Sequence, residues 1–478
     1  MKLRHLTWLL GLFMAAGAAP MAVYAQTPPP DPAVEEVDVE VEVEAEPAAP
    51  EDPGLSATEA FNLGVERYND NDYEAALEAF NYALERDASL TNAYLYRGMI
   101  YANQAEYDLA LADLNRAVEL KPGNANALVT RGTVYYLQGN FTQAQADFNA
   151  ALEIDPDSVN AYLYRGLIDS QQGNIELALE DFTTAIELDP NNPSAYVLRG
   201  FAWEQVENYT DAVTDFSRAI DLNSDLPRAY MGRGVAYYQL ELYDAAFEDL
   251  NQAVRLDPEM ARAYLNRGYV SYRQGRVNRA LEDMDKAIEL NPTLAEAYMG
   301  RGTIRAEQGN LAGAEQDFAQ VLQLNPDSAA AYKQKGDVLL RRGDAAAAIS
   351  DYTEAIFIDP NYAEAFKARG DARQATGDLF GAIDDYSQAL AVQPNYLEAY
   401  SARGAAYLKA GQAQNAYEDL SQAIASAPNS SDPDLYFNRG MVRANLGMMS
   451  VPAATLSKPL TCTCSRGKRL DTAKPWSK

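Results

Sequence analysis

Small, aromatic and charged side chains recur along this chain with the spacing of an amphipathic helix. In residues 159–192, Tyr162, Arg165, Gly166 and Asp169 lie three or four positions apart. This spacing places them on one stripe of a helix, because three and four residues span about one helical turn. The pattern therefore predicts a first helix near the start of this segment.

A second stripe follows within the same segment. Gly173-Asn174 predicts a turn. The second stripe consists of Leu177, Ala178, Asp181, Phe182 and Ala185. Pro190 then predicts the end of the second helix, because proline cannot donate a helical hydrogen bond. Small residues at Gly166 and Ala178 would let the two helices approach closely.

The same helix–turn–helix pattern repeats with a period of 34 residues. A glycine recurs in unbroken register at Gly64, Gly98, Gly132, Gly166, Gly200, Gly234, Gly268, Gly302, Gly336, Gly370 and Gly404. Residues 57–430 therefore divide into eleven units without insertions. A partial twelfth unit follows a two-residue insertion and has Tyr436, Arg439 and Gly440 on a first helix that runs to about Gly447. We call these units repeats one to twelve.

This periodicity predicts an all-α fold. One helical pair cannot bury its apolar face alone, so neighbouring repeats must stack. We therefore expect a superhelical solenoid over residues 57–447.

The repeat resembles the tetratricopeptide-repeat family, of the exported bacterial type. The family pattern of aromatic, Gly, Ala, aromatic and Ala falls at Tyr196, Gly200, Ala212, Phe216 and Ala219, with Ser224 in place of the usual proline. The resemblance covers about four-fifths of the chain. It implies a right-handed superhelix whose concave groove grips extended peptides or partner helices.

The chain departs from the family at the position before each glycine, which is usually apolar in the family. Here it is Leu63 in repeat one, and afterwards Arg97, Arg131, Arg165, Arg199, Arg233, Arg267, Arg301, Lys335, Arg369 and Arg403. Sixteen residues later, repeat one has Ala79, and the later repeats have Asp113, Asp147, Asp181, Asp215, Asp249, Asp283, Asp317, Asp351, Asp385 and Asp419.

These two positions change together from an apolar pair to an ionic pair. The arginines could form a basic binding stripe, or they could form an internal ladder of ion pairs. We favour the ladder, because charges near a core are normally paired. The joint change at Leu63 and Ala79 predicts that each arginine meets the aspartate of its own repeat.

The resemblance also implies where a ligand would lie, since the family's concave lining comes from the second, fifth, ninth and twelfth places of each repeat. The fifth place holds Leu95, Val129, Leu163, Val197, Met231, Leu265 and Met299, and then Lys333 and Lys367. The ninth place includes Met99, Leu167, Phe201, Val235 and Tyr269, and then Asp337 and Asp371. The groove would be apolar in repeats two to eight and charged in repeats nine and ten.

Two interpretations of the apolar residues remain open. They could contact a ligand, or they could pack against the first helix of the next repeat. The family's chaperone-type carboxylate clamp has Lys at the fifth place with Asn at the ninth. No repeat has this combination, which argues against capture of a chaperone C-terminus.

The first 25 residues have the pattern of a secretory signal peptide. A positive start at Lys2, Arg4 and His5 precedes an apolar run over residues 6–19, and Val23-Tyr24-Ala25 forms a cleavage site. We expect an exported protein, periplasmic or extracellular, with no membrane span after cleavage. The alternative is an uncleaved anchor.

Residues 26–56 predict an acidic, proline-rich, disordered linker. Residues 31–52 carry ten acidic side chains and no basic one, and like-charge repulsion favours an extended tether. An acidic docking segment is the alternative.

Residues 448–478 form a basic tail that does not follow the repeat and that we expect to be disordered. The tail holds Cys462 and Cys464, whose Cys-x-Cys spacing is a weak metal or redox signal. We interpret this end as frameshifted or truncated, because a solenoid requires a capping element there.

The overall composition limits the function further. Net charge is −30 in a chain of 478 residues, which argues against nucleic acid or anionic lipid as a partner. The single histidine is His5, and the only two cysteines lie in the tail, so the repeats lack histidine or cysteine for catalysis. No phosphate-binding loop or calcium loop occurs. We expect no cofactor and no metal.

These observations predict a non-catalytic scaffold that binds proteins or peptides in its groove. The alternative is an architectural spacer, a stiff rod without a specific ligand. Solvent access to the apolar stripe would favour the scaffold, and full burial would favour the spacer. An enzyme is a distant third.

Overall fold

The computed structural model describes residues 54–426, 433–446 and 448, and within these ranges the chain forms 23 α-helices and no strand. The predicted signal peptide, the predicted linker up to residue 53, and the predicted tail beyond Met448 lie outside the described residues. An all-α architecture, the fold class predicted from the sequence, is confirmed.

The helices alternate between a first and a second helix of each repeat. They are α1 Ala57–Asn69, α2 Tyr73–Arg86, α3 Thr91–Asn103, α4 Tyr107–Leu120, α5 Ala125–Leu137, α6 Phe141–Ile154, α7 Val159–Gln171, α8 Ile175–Leu188, α9 Pro193–Gln205, α10 Tyr209–Leu222, α11 Pro227–Gln239, α12 Tyr243–Leu256, α13 Ala261–Arg273, α14 Val277–Leu290, α15 Ala295–Glu307, α16 Leu311–Leu324, α17 Ala329–Arg341, α18 Ala345–Ile358, α19 Ala363–Thr376, α20 Leu379–Val392, α21 Leu397–Lys409, α22 Ala413–Ser426 and α23 Pro433–Asn445.

Local sequence explains where these helices begin and end. Ser56 and Glu59 form a capping box at the start of α1, each side chain accepting from the other's backbone N–H. In repeat four, α8 ends at Leu188, and its C-cap residue Asp189 stands immediately before Pro190. Gly173 has a φ of 83° between the two helices, a left-handed conformation that glycine adopts without strain.

The core of each repeat is an aromatic or long apolar side chain packed against the recurrent glycine. Phe182 of α8 is almost wholly buried, and a Cβ at Gly166 would lie 2.7 Å from its ring. Other repeats place Phe80, Leu114, Phe148, Phe216, Leu250, Met284, Phe318, Tyr352, Tyr386 and Leu420 at this position. Glycine is therefore needed for the close helix approach expected from the sequence.

The chain divides into two compact parts, an N-terminal part that ends at Ile304 and a C-terminal part that begins at Arg305. Within each part, consecutive helices pack against one another, as α7 packs against α8 and α19 against α20. First helices of consecutive repeats also contact one another, as α7 contacts α9 and α19 contacts α21. The first helices therefore form a layer of their own. Among the described residues, every helix is too short or too polar to span a lipid bilayer.

Candidate functional site

The layer of first helices in the N-terminal part carries the predicted ligand contacts. We call its fifth-place and ninth-place side chains the first-helix face. Exposed polar side chains lie beside this face at the second place, at Asn92, Asn126 and Asn160.

The fifth-place side chains of this face are mostly buried. Leu95, Leu163, Val197, Met231, Leu265 and Met299 are only 4–9% exposed, whereas Val129 is half-buried. Leu163, for example, packs in one cluster with Ala195 and Ala202 of the next first helix. The role of these residues as ligand contacts stays a prediction, and their burial disfavours it because little of each side chain reaches solvent.

The ninth-place side chains are more accessible. Met99, Leu167, Val235 and Tyr269 are half-buried, and each occupies the same place in its repeat. Phe201 is the exception at 6% exposed. We conclude that the ninth place, with the polar second place beside it, offers more surface to a ligand than the fifth place.

Tyr269 differs from the apolar residues at this place. Its hydroxyl donates a hydrogen bond to the Glu296 carbonyl oxygen at 3.2 Å, which connects repeat seven to repeat eight. Burial raises the pKa of Tyr269, so the phenol stays protonated at neutral pH.

The charged places of repeats nine and ten, in the C-terminal part, are paired internally. Lys333 is 3% exposed and its Nζ lies 2.8 Å from an oxygen of Asp337. The other oxygen of Asp337 accepts a 2.8 Å hydrogen bond from the Tyr352 hydroxyl. Burial lowers the pKa of Lys333. Repeat ten has the same arrangement, with Asp371 accepting from Lys367 at 2.6 Å.

The arginine and aspartate positions form ion pairs within repeats two to seven, ten and eleven. In repeat eight, Arg301 pairs with Asp285 of the preceding repeat and Asp317 pairs with Arg305. In repeats two to seven the shortest distances run from 2.6 to 2.8 Å, in the pairs Arg97–Asp113, Arg131–Asp147, Arg165–Asp181, Arg199–Asp215, Arg233–Asp249 and Arg267–Asp283. Nε and Nη2 each donate to one carboxylate oxygen, and such two-point pairs are the strong ones. Hydrogen bonding to Asp147 raises the pKa of Arg131.

The remaining guanidinium nitrogen of each arginine, Nη1, donates to a residue of the preceding repeat, a contact that the sequence analysis did not predict. We call this Nη1 contact the third arm of the arginine. Arg199 Nη1 donates to Thr183 Oγ1 at 3.1 Å, and Arg233 Nη1 donates to Ser217 Oγ at 3.0 Å. Acceptors at the same place are Asn81, Asn115, Asn149, Asn251, Asp285, Thr353 and Ser387. Each arginine therefore connects two repeats as well as two helices.

The sequence contains a pattern that indicates this contact between repeats. A small polar residue stands two positions after the ladder aspartate in almost every repeat, but repeat eight has Ala319 there. The following repeat is the one whose arginine is replaced, by Lys335. Lys335 reaches only one oxygen of Asp351, at 2.9 Å, and Asp351 Oδ2 is buried without a hydrogen-bond partner among the described residues.

One carboxyl group on the first helices has a buried oxygen that accepts no hydrogen bond from the described residues. Glu204, at the twelfth place of repeat five, has its Oε1 buried without a hydrogen-bond partner in the part of the chain that the structure describes. Burial raises the pKa of Glu204 well above its ordinary value. The sequence analysis did not single this residue out. Among the described residues, no group of three or more His, Cys, Asp or Glu is placed to hold a metal ion.

Models of the tetratricopeptide repeat match most of the described chain. The matches cover residues 61–125, 98–165, 166–206, 205–241, 236–275, 261–294, 299–363 and 370–411. No curated protein sequence matches the chain.

Solved structures with helical repeats resemble the chain at low identity. A tetratricopeptide-repeat protein from Parabacteroides merdae is 21% identical, with 52% of this chain and 98% of that chain covered and a TM-score of 0.43. Yeast Tom70 is 14% identical over 83% and 97%, with a TM-score of 0.41. YrrB, described as having an unusual peptide-binding site, is 27% identical over 40% and 98%, with a TM-score of 0.34.

Proposed function

The chain belongs to the tetratricopeptide-repeat family, and we propose that it is a non-catalytic scaffold that binds segments of other proteins on its first-helix face. The observation that carries the proposal is the set of half-buried ninth-place side chains at Met99, Leu167, Val235 and Tyr269. They recur once per 34 residues on helices that form one layer, so an extended segment could contact several of them.

The ligand that this face suits has apolar anchors separated by polar backbone. Burial of apolar anchors would supply most of the affinity, at roughly 25 cal/mol per Å² before binding costs. The exposed amides of Asn92, Asn126 and Asn160 could bond the backbone of an extended peptide. Basic flanks on the ligand would speed association with a chain of net charge −30.

We propose further that the protein is exported and works in the cell envelope or outside the cell. The support is the signal-peptide pattern of residues 1–25. N-terminal sequencing of the protein recovered from the envelope fraction tests this. A mature start at Gln26 is expected, and an intact Met1 in the cytoplasm would contradict it.

The spacer remains a second candidate, and burial of the fifth place favours it. Residues such as Leu265, only 4% exposed, join repeats rather than face solvent. The arginines add hydrogen bonds between repeats, which would stiffen a rod.

A peptide selection separates the two candidates. A displayed library of random peptides is selected on the full chain, and affinities of the recovered peptides are measured by fluorescence polarisation. The test variant is Leu167→Asn with Val235→Asn. The matched control is Leu109→Asn with Leu177→Asn, because these leucines are about half exposed, at 50% and 51%, and lie on second helices.

The scaffold predicts that the test variant weakens binding at least about ten-fold, from the loss of two buried apolar contacts, while the control variant binds as the wild type does. Circular dichroism must first show equal helicity in both variants. Recovery of no peptide above background, or equal binding by a folded test variant, would favour the spacer.

A further inference from the structure

A cluster of three arginines, Arg273, Arg276 and Arg279, lies where repeats six and seven meet, on or beside α13 and α14, and among the described residues these arginines form no ion pair with a carboxylate. Residues 261–281 contain five arginines and no acidic residue, although the chain as a whole has a net charge of −30. Arg273 ends α13, a first helix, whereas Arg276 lies in the turn before α14 and Arg279 lies on α14, a second helix. None of the three is a fifth-place or ninth-place residue, so this surface is separate from the first-helix face.

Three of these arginines lie on two aromatic rings of α12. Arg273 lies 5.4 Å from the centroid of the Tyr243 ring, and its Nη2 donates to the Tyr243 hydroxyl at 2.8 Å. Arg276 and Arg279 lie 4.9 and 4.8 Å from the centroid of the Phe247 ring. Stacking on a ring orients a guanidinium group while leaving its N–H edge free to donate.

These three arginines differ from those of the ladder. Among the described residues, none of Arg273, Arg276 and Arg279 forms an ion pair with a carboxylate, whereas Arg267 is paired with Asp283 at 2.6 Å. Arg276 and Arg279 are also exposed to solvent. The charges of Arg276 and Arg279 are therefore available to a ligand, whereas Arg273 is half-buried and lies near the negative charge of Glu241.

An open surface cleft of about 490 Å³ adjoins the cluster and is lined by Glu248, Asn251, Arg255 and Arg267. Asn251 connects the cleft to the cluster, because its Oδ1 accepts from Arg267 Nη1 at 2.8 Å and from Arg279 Nη2 at 3.4 Å. Arg255 is exposed and adds a further positive charge, and Glu248 is the one acidic residue of the lining.

We propose that Arg255, Arg273, Arg276 and Arg279 form a binding site for the carboxylates of an acidic, extended protein segment. Guanidinium groups bind carboxylates through two parallel hydrogen bonds, and the ring contacts hold Arg273, Arg276 and Arg279 in place before a ligand arrives. The patch spans only two repeats of a strongly acidic chain, which favours a short acidic segment over a long polyanion such as nucleic acid.

A ligand of this chemistry exists in the chain itself. Residues 31–52 carry ten acidic side chains and no basic one. A synthetic peptide of residues 31–52, labelled with a fluorophore, is therefore the probe, and the full chain is the receptor. The same tract within the receptor would compete more strongly in the wild type than in a variant with a weakened site, so the measured ratio of affinities is a lower limit on the effect.

The test variant is Arg276→Gln with Arg279→Gln, and the matched control is Arg116→Gln with Arg218→Gln, which removes the same charge from exposed arginines of other second helices. Binding is measured by fluorescence polarisation at low and at physiological salt. We expect the test variant to bind at least about ten-fold more weakly, since hydrogen bonds between charged groups are stronger than those between neutral groups. The control is expected to change affinity less than about two-fold, by screened charge alone.

Equal weakening by the control would mean that only net charge matters, and it would overturn the proposal. Failure of the wild type to bind the peptide at low salt would also overturn it. Displacement of the peptide by a single-stranded DNA oligonucleotide at equal charge would favour a nucleic-acid site instead. Substitutions on the first-helix face should not change peptide binding here, so this site and the proposed scaffold function can fail independently.

Discussion

The ion pair and the inter-repeat hydrogen bond of the arginine ladder are weakest between repeats eight and nine. Restoring the missing hydrogen bonds there should stabilise the C-terminal part. Here Lys335 replaces arginine and Ala319 replaces the polar acceptor of the preceding repeat. Lys335 reaches one oxygen of Asp351, and the other oxygen is buried without a hydrogen-bond partner among the described residues. Burial accordingly raises the pKa of Asp351.

The expected gain follows from the neighbouring repeat. Arg369 bonds both oxygens of Asp385 and also Thr353 Oγ1 at 3.1 Å. Lys335→Arg should therefore satisfy the buried oxygen, which is worth about 1–3 kcal/mol. Ala319→Asn should add about 0.5–1.5 kcal/mol, but only when the arginine is present to donate.

Urea and thermal unfolding of the full chain, followed by circular dichroism, measure the four members of this double-mutant cycle. Ala319→Asn alone should be nearly neutral, and the double variant should exceed the sum of the single variants. The reverse change, Arg369→Lys, should destabilise repeat ten by a similar amount. A cycle with no gain from Lys335→Arg, or with the full gain from Ala319→Asn alone, would refute the three-armed account of the ladder.

Three further predictions concern packing and charge. Gly166→Ala should lower the free energy of unfolding by about 1–2 kcal/mol, despite the better helix propensity of alanine, because the new Cβ would lie 2.7 Å from Phe182. Gly123→Ala is the control and should cause no such loss, because there is open space around Gly123. Chemical denaturation of both variants measures the difference. Glu204→Gln should stabilise the chain at neutral pH but not near pH 4. The folded state raises the pKa of Glu204, so the wild type loses stability as the pH rises from the unfolded pKa through the folded pKa, and glutamine avoids this loss. Unfolding measured at several pH values checks the sign. Leu163→Asp with Val197→Asp should cost more than about 3 kcal/mol, since both positions are buried, and a thermal scan that shows an unchanged midpoint would contradict the observed packing.

The sequence alone predicted the repeat, its helices and the partners of the ladder. Periodicity places Gly166 opposite Phe182, and the joint change at Leu63 and Ala79 indicates same-repeat pairing. The third arm of the arginines was missed because it joins residues of different repeats. Only the coincidence of Ala319 with Lys335 points to it.

Burial of individual places was harder to predict. Fifth-place and ninth-place residues lie on the same helix with similar hydrophobicity, yet Leu163 is buried and Leu167 is half-buried. The difference depends on how the next repeat is rotated, which a 34-residue period does not determine. Lys333 was expected in an open groove, but it is only 3% exposed, and Asp337 compensates its charge.

Photo-crosslinking tests the central claim most directly. A benzoylphenylalanine is placed at Leu167 on the first-helix face, and separately at Leu177 on the second helix of the same repeat, which is 51% exposed. Each protein is irradiated with a peptide recovered from the selection on the full chain. The scaffold account predicts a crosslink from position 167, suppressed by excess unlabelled peptide, and none from position 177. Crosslinking from position 177 alone, or from neither position with a peptide that binds, would contradict the assignment of the first-helix face.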